Sequence, residues 1–333
     1  MNKNQRIRVA QWGLGAMGQG VAKVILAKQG LELVGAFDIR PELAGKDVGE
    51  VLGVELAGVV VSDDPASILD PAKVDVITIA TTSWVAKQLP DLKRIISAGI
   101  NVVSIAEEMA APEAQNPEIA AELDALAKKH GVSAIGVGVN PGFVLDHLVV
   151  VLTAGSQEVT SIEASRINDL SPYGETVLST QGVGTTPEEF RAGVADGSIV
   201  GHVGFPESVR LISDALGLGV DRVEQTLEPI IAKVPRQARG QVIEPGRVAG
   251  CNHIAAGYSG GEQVIRLVHP QQVDPGAEGV DTGDYITIHG VPEISMSTGP
   301  EIAGGKATAG IAVNTIPRIF AATPGLKRII DLP

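Results

Sequence analysis

Three glycines, one aspartate and two adjacent glutamates are the residues of this 333-residue chain whose types and spacing can do chemistry. Gly13-Leu14-Gly15-Ala16-Met17-Gly18 is a G-x-G-x-x-G run. In such a run the first glycine makes a tight turn out of a strand. The second lets backbone approach a diphosphate, and the third lets the following helix pack close to the strand. The helix N-terminus then meets the phosphates with free N–H groups and a positive dipole. Asp38 lies twenty positions past Gly18, where an acid that binds the adenosine ribose belongs. Its charge favours NAD(H). Arg40, two residues on, can hold the 2′-phosphate of NADP(H), stack on adenine, or stay a solvated loop charge. The expected cofactor is therefore NADP(H) and/or NAD(H), bound by residues 13–18, Asp38 and Arg40. Glu107 and Glu108 are the candidate general acid/base, because a partly desolvated carboxylate beside a cofactor crevice suits that work. Spacing does not decide which of the two points inward, and solvated acids at a helix start are the bland alternative.

The elements that must position these groups alternate. Residues 7–12 read as a buried strand, 17–28 as a helix with Val21, Val24, Ile25 and Leu26 on one face, and 31–37 as a second strand ending at Asp38. Strands at 58–63, 74–81, 101–106 and 132–139 follow, with a short helix or turn at 65–71 and helices at 86–99 and 117–131. The run VDVITIAT (74–81) is almost wholly apolar, as a strand covered on both faces must be. Strands alternating with helices mean a doubly wound parallel sheet, an α/β Rossmann domain over residues 1–140. In such a sheet ligands sit at the carboxyl ends of the strands. Thr81, Thr82 and Ser83 are thus expected on the nicotinamide side, or as the N-cap of the next helix, and Glu107 follows the strand at 101–106.

After Asn140-Pro141-Gly142 the pattern changes. Strands at 159–169, 226–234, 247–257, 261–269 and 284–290 have little helix between them, apart from 187–196 and 206–217. We expect an α+β substrate domain over 141–305, built on an open, mostly antiparallel sheet. Residues 307–325 read as a helix, and the 306–333 segment is expected to pack back on the Rossmann domain. No internal repeat is seen.

Composition excludes several classes. A formal net charge of −13 argues against nucleic acids and anionic membranes as partners. Aromatics at 3% leave few platforms for base stacking. The single cysteine, Cys251, permits no internal disulfide and no cysteine metal cluster, which fits a cytoplasmic location. The start MNKNQRIRVAQWG lacks the apolar stretch of a signal peptide, and no apolar run is long enough to span a bilayer. No set of residues has metal-ligand spacing, so no metal is expected. Ser259 lacks the context of a nucleophile elbow.

The segments GLGAMGQGVAKVI, NVVSIAEEMA, GVNPGFVLD, RINDLSPYG, QGVGTTPEEF, GHVGFPES, AGCNHIAAGY, HPQQ and IAVNTIPRI together resemble the 2,4-diaminopentanoate dehydrogenases and the related native amine dehydrogenases. The resemblance spans nearly the whole chain. The signature of dihydrodipicolinate reductase, His-His followed by Lys and a Pro-Ser-Gly-Thr run, is absent. The resemblance implies NAD(P)-dependent, reversible oxidative deamination of a small amine or diamino acid to a ketone and ammonia. It implies Glu107, ahead of Glu108, as the acid/base. It also implies Asn140, Arg166, Asn168, Tyr173, His202 and His269 on the substrate, and a homodimer joined through the substrate-domain sheets. Arg166 could pair with a substrate carboxylate or form a structural ion pair. Tyr173 could be core, and His202 and His269 satisfied structural groups; His253 reads as structural. The rival readings are a cyclic imine reductase on the same fold and a redox-sensing binding module.

Overall fold

The computed structural model describes residues 6–238 and 240–332. The first five residues of the expected 1–140 domain, where the leader was sought, and Pro333 lie outside the described residues. The chain divides into two compact units, one of residues 1–143 with 303–333 and one of residues 144–302.

The first unit opens with β1 (Ile7–Trp12), α1 (Ala16–Ala27) and β2 (Leu31–Phe37). Next come α2 (Val48–Leu52), β3 (Val61–Ser62), β4 (Val76–Ile79), α3 (Val85–Ser97), β5 (Asn101–Ser104), α4 (Pro117–His130) and β6 (Ser133–Gly136). All four residues of β4, β6 and the last three of β5 are buried, as strands covered on both faces must be. α3 turns Val85, Leu92, Ile95 and Ile96 onto that sheet, where they meet Ile77, Ile79 and Val102. Gly131 ends α4 in the left-handed conformation that a residue without Cβ adopts freely.

The second unit opens on α5 (His147–Thr153) and β7 (Glu158–Asp169). α6 (Glu175–Thr180), α7 (Pro187–Asp196) and α8 (Phe205–Leu216) follow. The rest is β8 (Arg222–Ile231), β9 (Arg236–Ala238), β10 (Gln241–Ile243), β11 (Val248–Ser259), β12 (Glu262–Gln272), β13 (Gly283–Val291) and β14 (Ile294–Thr298). β9 and β10 form a small hairpin. The six-stranded sheet runs β14-β13-β7-β12-β11-β8; only the β12–β7 pair is parallel. α5 packs on β7 and β13, and α8 on β11 and β12. α7 starts in a capping box, with Glu189 N–H donating to Thr186 Oγ1 and Thr186 N–H to the Glu189 carboxylate.

The chain then returns to the first unit with α9 (Gly304–Phe320), which packs on α1, β5 and β6, and β15 (Gly325–Lys327). The parallel sheet is thus seven-stranded, in the order β15-β6-β5-β4-β1-β2-β3. Here the structure corrects the reading of 307–325 as one helix: the helix ends at Phe320, and Gly325–Lys327 pairs with β6. A three-residue edge strand is too short to leave a periodic pattern. The expected strand at 58–63 shrinks to Val61–Ser62, because residues 58–60 lead in as loop and a single bridge to Asp47. α2, α5 and α6, of five to seven residues, show no readable amphipathic period and are additions.

Candidate active site

The first unit carries a nucleotide crevice at the carboxyl end of its strands. Gly13 has φ +88°, and a Cβ there would lie 2.6 Å from the Ala80 carbonyl. A Cβ on Gly18 would lie 1.9 Å from the Gly13 carbonyl, so α1 reaches this closeness to the turn only with glycine. A Cβ on Gly15, by contrast, would meet nothing within 4 Å. That open cradle lies at the N-cap of α1, where no side chain caps the free N–H groups. The site thus fits a dinucleotide diphosphate. A cavity of about 400 Å³ adjoins it, lined by Gly13, Gly15, Asp38, Arg40 and Thr81 among the expected residues. Trp12, Ile39, Asp91 and Arg94 also line it and were not foreseen. Trp12 ends β1 directly before Gly13, a position that was itself a legible signal; Asp91 and Arg94 come from the middle of α3 and gave none.

Asp38 is nearly enclosed. Its Oδ2 accepts the Leu14 N–H at 2.6 Å, and its Oδ1 accepts the Arg40 N–H and Nε at 2.9 Å each. Burial alone would raise its carboxyl, but the bonds from Arg40 and Leu14 outweigh this and hold it below the usual aspartate range. Of the other loop residues, Leu14 is fully buried, Ala16 and Met17 open α1, and Met17 Sδ faces Gly305. Thr82 Oγ1 accepts from Trp84 N–H.

The two glutamates differ. Glu108 is buried, and its carboxylate accepts the Val85 N–H at 2.8 Å and Asn116 Nδ2 at 3.4 Å. It supplies the acceptor at the start of α3 that Thr81, Thr82 or Ser83 was expected to supply. Glu107 keeps a little surface yet is enclosed by protein atoms. That desolvation raises its carboxyl above the ordinary glutamate value, with the adjacent Glu108 adding to the rise, while its own backbone and the Ser83 hydroxyl oppose it. A chain of bonds ties β5 to the end of β4: Ser104 Oγ donates to Gln88 Oε1 at 2.6 Å, and Gln88 Nε2 to Thr81 Oγ1 at 3.3 Å. Both polar atoms of the Asn140 side chain are buried with no hydrogen-bond partner among the described residues.

The second unit gathers the other candidates around Arg166. Its Nη1 bonds Asp284 Oδ1 at 2.5 Å and its Nη2 the Ile302 carbonyl at 2.5 Å, so the structural ion pair is present. His269 Nδ1 lies 2.7 Å from the Arg166 carbonyl, which makes that nitrogen the N–H donor and leaves Nε2 a bare acceptor. His202 stands edge-on to His269, ring centres 5.0 Å apart, with its Nε2 buried and unbonded; Asn168 Oδ1 is likewise unbonded among the described residues. Tyr173 packs beside Leu170 and Leu178, and burial raises its phenol against the pull of Arg166. His253 Nδ1 accepts the His202 backbone N–H, which bears out its structural reading. Burial, reinforced by Arg166, drives His269 down to about 3 and His202 well below the ordinary value, and burial lowers His253 to about 4. These rings are neutral hydrogen-bonding groups at neutral pH. Among the described residues no cluster of His, Cys, Asp and Glu is arranged to hold a metal.

Two outcomes follow. Asp284→Ala strands a buried guanidinium and should cost about 3–5 kcal/mol in denaturant unfolding; an unchanged midpoint would refute the pairing. The depressed histidines bind protons more weakly folded than unfolded. Their stabilisation is therefore full above pH 6.5 and is lost as pH falls from there toward 3. His269→Gln should flatten the fall of Tm across that window, and an unaltered slope would speak against it.

Residues 143–333 match the 2,4-diaminopentanoate dehydrogenase C-terminal domain, and residues 7–104 the N-terminus of dihydrodipicolinate reductase. The chain is 43% identical to 2,4-diaminopentanoate dehydrogenase of Acetoanaerobium sticklandii, covering 99% of this chain and 94% of that one. It is 26% identical to an amine dehydrogenase of Streptomyces virginiae, over 98% and 96% of the two chains. The amine dehydrogenase structure from Mycobacterium smegmatis superposes with a TM-score of 0.87 at 28% identity, covering 100% of this chain and 98% of that one. With a domain match over more than half its length and a relative this similar from end to end, the chain belongs to the 2,4-diaminopentanoate dehydrogenase family.

Proposed function

We propose that this protein is an NAD(P)-dependent amine dehydrogenase that interconverts a small amine or diamino acid with the corresponding ketone and ammonia. The observation that carries the residue assignment is the division of labour between the glutamates: Glu108 is spent on the start of α3, whereas Glu107 is a desolvated carboxyl tied, among the described residues, to the Ser83 hydroxyl and its own backbone. The nicotinamide, when bound, supplies or accepts the hydride at the amine-bearing carbon. In the amination direction Glu107, ionised, removes a proton from ammonium so that free ammonia attacks the ketone carbon. The protonated Glu107 then returns that proton to the carbinolamine hydroxyl, which leaves as water. The iminium so formed has lost the C–O bond and gained a C=N bond, ready for hydride. A carboxyl raised toward working pH suits both transfers.

Thr81, Thr82 and Ser83 belong on the nicotinamide side in this reading, with residues 13–18 and the Asp38–Arg40 pair around the rest of the cofactor. Asn140, Asn168, His202 and His269 would bind the substrate as neutral groups, the unbonded polar atoms of Asn140, Asn168 and His202 meeting its amine. Arg166 is the buried cation beside Tyr173, His202 and His269 and would face the carboxylate of a diamino acid. The N-terminal match to dihydrodipicolinate reductase is to the dinucleotide domain, so it does not favour imine reduction over amine chemistry. No described helix is long and apolar enough to cross a membrane, and a cytoplasmic site of action is part of the proposal. We also infer a homodimer. The face of the six-stranded sheet away from α5 and α8 presents Ile254, Val268, Ile167 and Tyr285 around Ser165, bordered on one side by a row of Glu163, Arg266 and Glu224.

Glu107→Gln should lower kcat for amination by about 10²-fold or more with cofactor binding intact. In the wild-type enzyme the acidic limb of kcat/KM, where the base form is lost, should lie above 4.5, the ordinary glutamate value. It should vanish in the variant; near-full activity of Glu107→Gln removes the role. Light scattering should give the mass of two chains, and a monomer at micromolar concentration would discard the dimer.

A further inference from the structure

The Asp38 carboxylate has no vacant lone pair. Oδ1 receives the Arg40 N–H and Nε; Oδ2 receives Leu14 N–H and, at 3.1 Å, Arg40 Nη2. A carboxylate offers about four acceptor positions, and all four are taken. An acid in this state is a poor partner for the two hydroxyls of an adenosine ribose, and its charge is neutralised. Arg40 is fixed at both edges of its fork, because Nη2 also donates to the Leu14 carbonyl at 2.8 Å. Its Nη1 has no partner among the described residues, and the residue lines the nucleotide cavity. Arg94 lines the same cavity from α3. It holds Asp91 only at 3.9 Å, too long for a hydrogen bond, and is largely exposed. Asp91, the other acid of that wall, is engaged by Trp12, whose ring nitrogen is a donor only.

We infer that the Asp38–Arg40 pair masks the ribose acid and turns Arg40, joined by Arg94, toward a 2′-phosphate, so that the first unit selects NADP(H) over NAD(H). This rests on the reading of that unit as a dinucleotide site. It assigns Arg94 as a specificity-determining residue and gives Arg40 two effects. Arg40 attracts the phosphate, and by occupying Asp38 it withholds the contacts that NAD(H) would use. Removing Arg40 therefore frees Asp38 to accept ribose hydroxyls, and the preference inverts instead of merely fading.

The test is calorimetric binding to the full chain of 2′,5′-ADP and 5′-AMP, two fragments that differ only in the 2′-phosphate, with NAD as a control. The wild type should bind 2′,5′-ADP about tenfold or more tightly than 5′-AMP. Arg94→Ala, on an exposed helix face, should weaken 2′,5′-ADP about fivefold or more and leave 5′-AMP unchanged. Arg40→Ala should weaken 2′,5′-ADP and strengthen 5′-AMP, with circular dichroism confirming the fold. Equal affinities in the wild type overturn the proposal, as does an Arg94→Ala protein that binds 2′,5′-ADP unchanged or an Arg40→Ala protein that loses both ligands alike. If NAD and both fragments fail to bind at all, the dinucleotide reading falls with it; binding without discrimination sinks only the selector.

Discussion

The first unit depends on how closely α1 approaches the turn that follows β1. The Gly18 backbone lies against the Gly13 carbonyl, with no room for even one carbon between them. That contact puts the start of α1 directly behind the turn, so its uncapped N–H groups open onto the space beside Gly15. Leu14, inside the same turn, has its N–H held by Asp38 and its carbonyl held by Arg40. The loop is therefore fixed from both sides before any ligand arrives. Preorganised donors of this kind do not need to be ordered by the ligand, and binding is stronger by the ordering cost avoided.

A second theme is the handling of buried charge. Asp38, Glu108, Arg166 and Asp284 are all largely removed from water, and each has specific partners. His202 and His269 go the other way and stay neutral, since burial near a guanidinium makes a further positive charge too costly. Glu107 stands apart. Desolvation raises its carboxyl above the ordinary glutamate value, and the Ser83 hydroxyl only partly opposes this. Perturbed groups of this type cluster at sites of chemistry.

Much of this was legible in the chain. Asp38 at its fixed distance from the glycines, the apolar run of β4 and the alternation through β6 specify the parallel sheet by period and turn chemistry alone. In the second unit, long strands such as Glu158–Asp169 announce themselves by alternation, while α5, α6 and β15 do not, being shorter than the periods that reveal them. Asp91 and Arg94 were invisible for another reason: an i, i+3 charge pair on a helix reads as solvated surface unless one knows what the helix faces.

The amino-acid order by itself determined the glycine turn, the class of sheet behind it and the presence of two candidate glutamates, because these follow from local conformational freedom and hydrophobic period. Tertiary structure alone decided which glutamate caps α3, since that turns on the start of α3 lying twenty-three residues before Glu108 and claiming its carboxylate. It alone decided that Arg166 meets Asp284, 118 positions away, and that Asp38 is filled by Arg40 and Leu14. A side chain's chemistry is set by the partners that use up its lone pairs and its charge, and those partners are chosen by the fold.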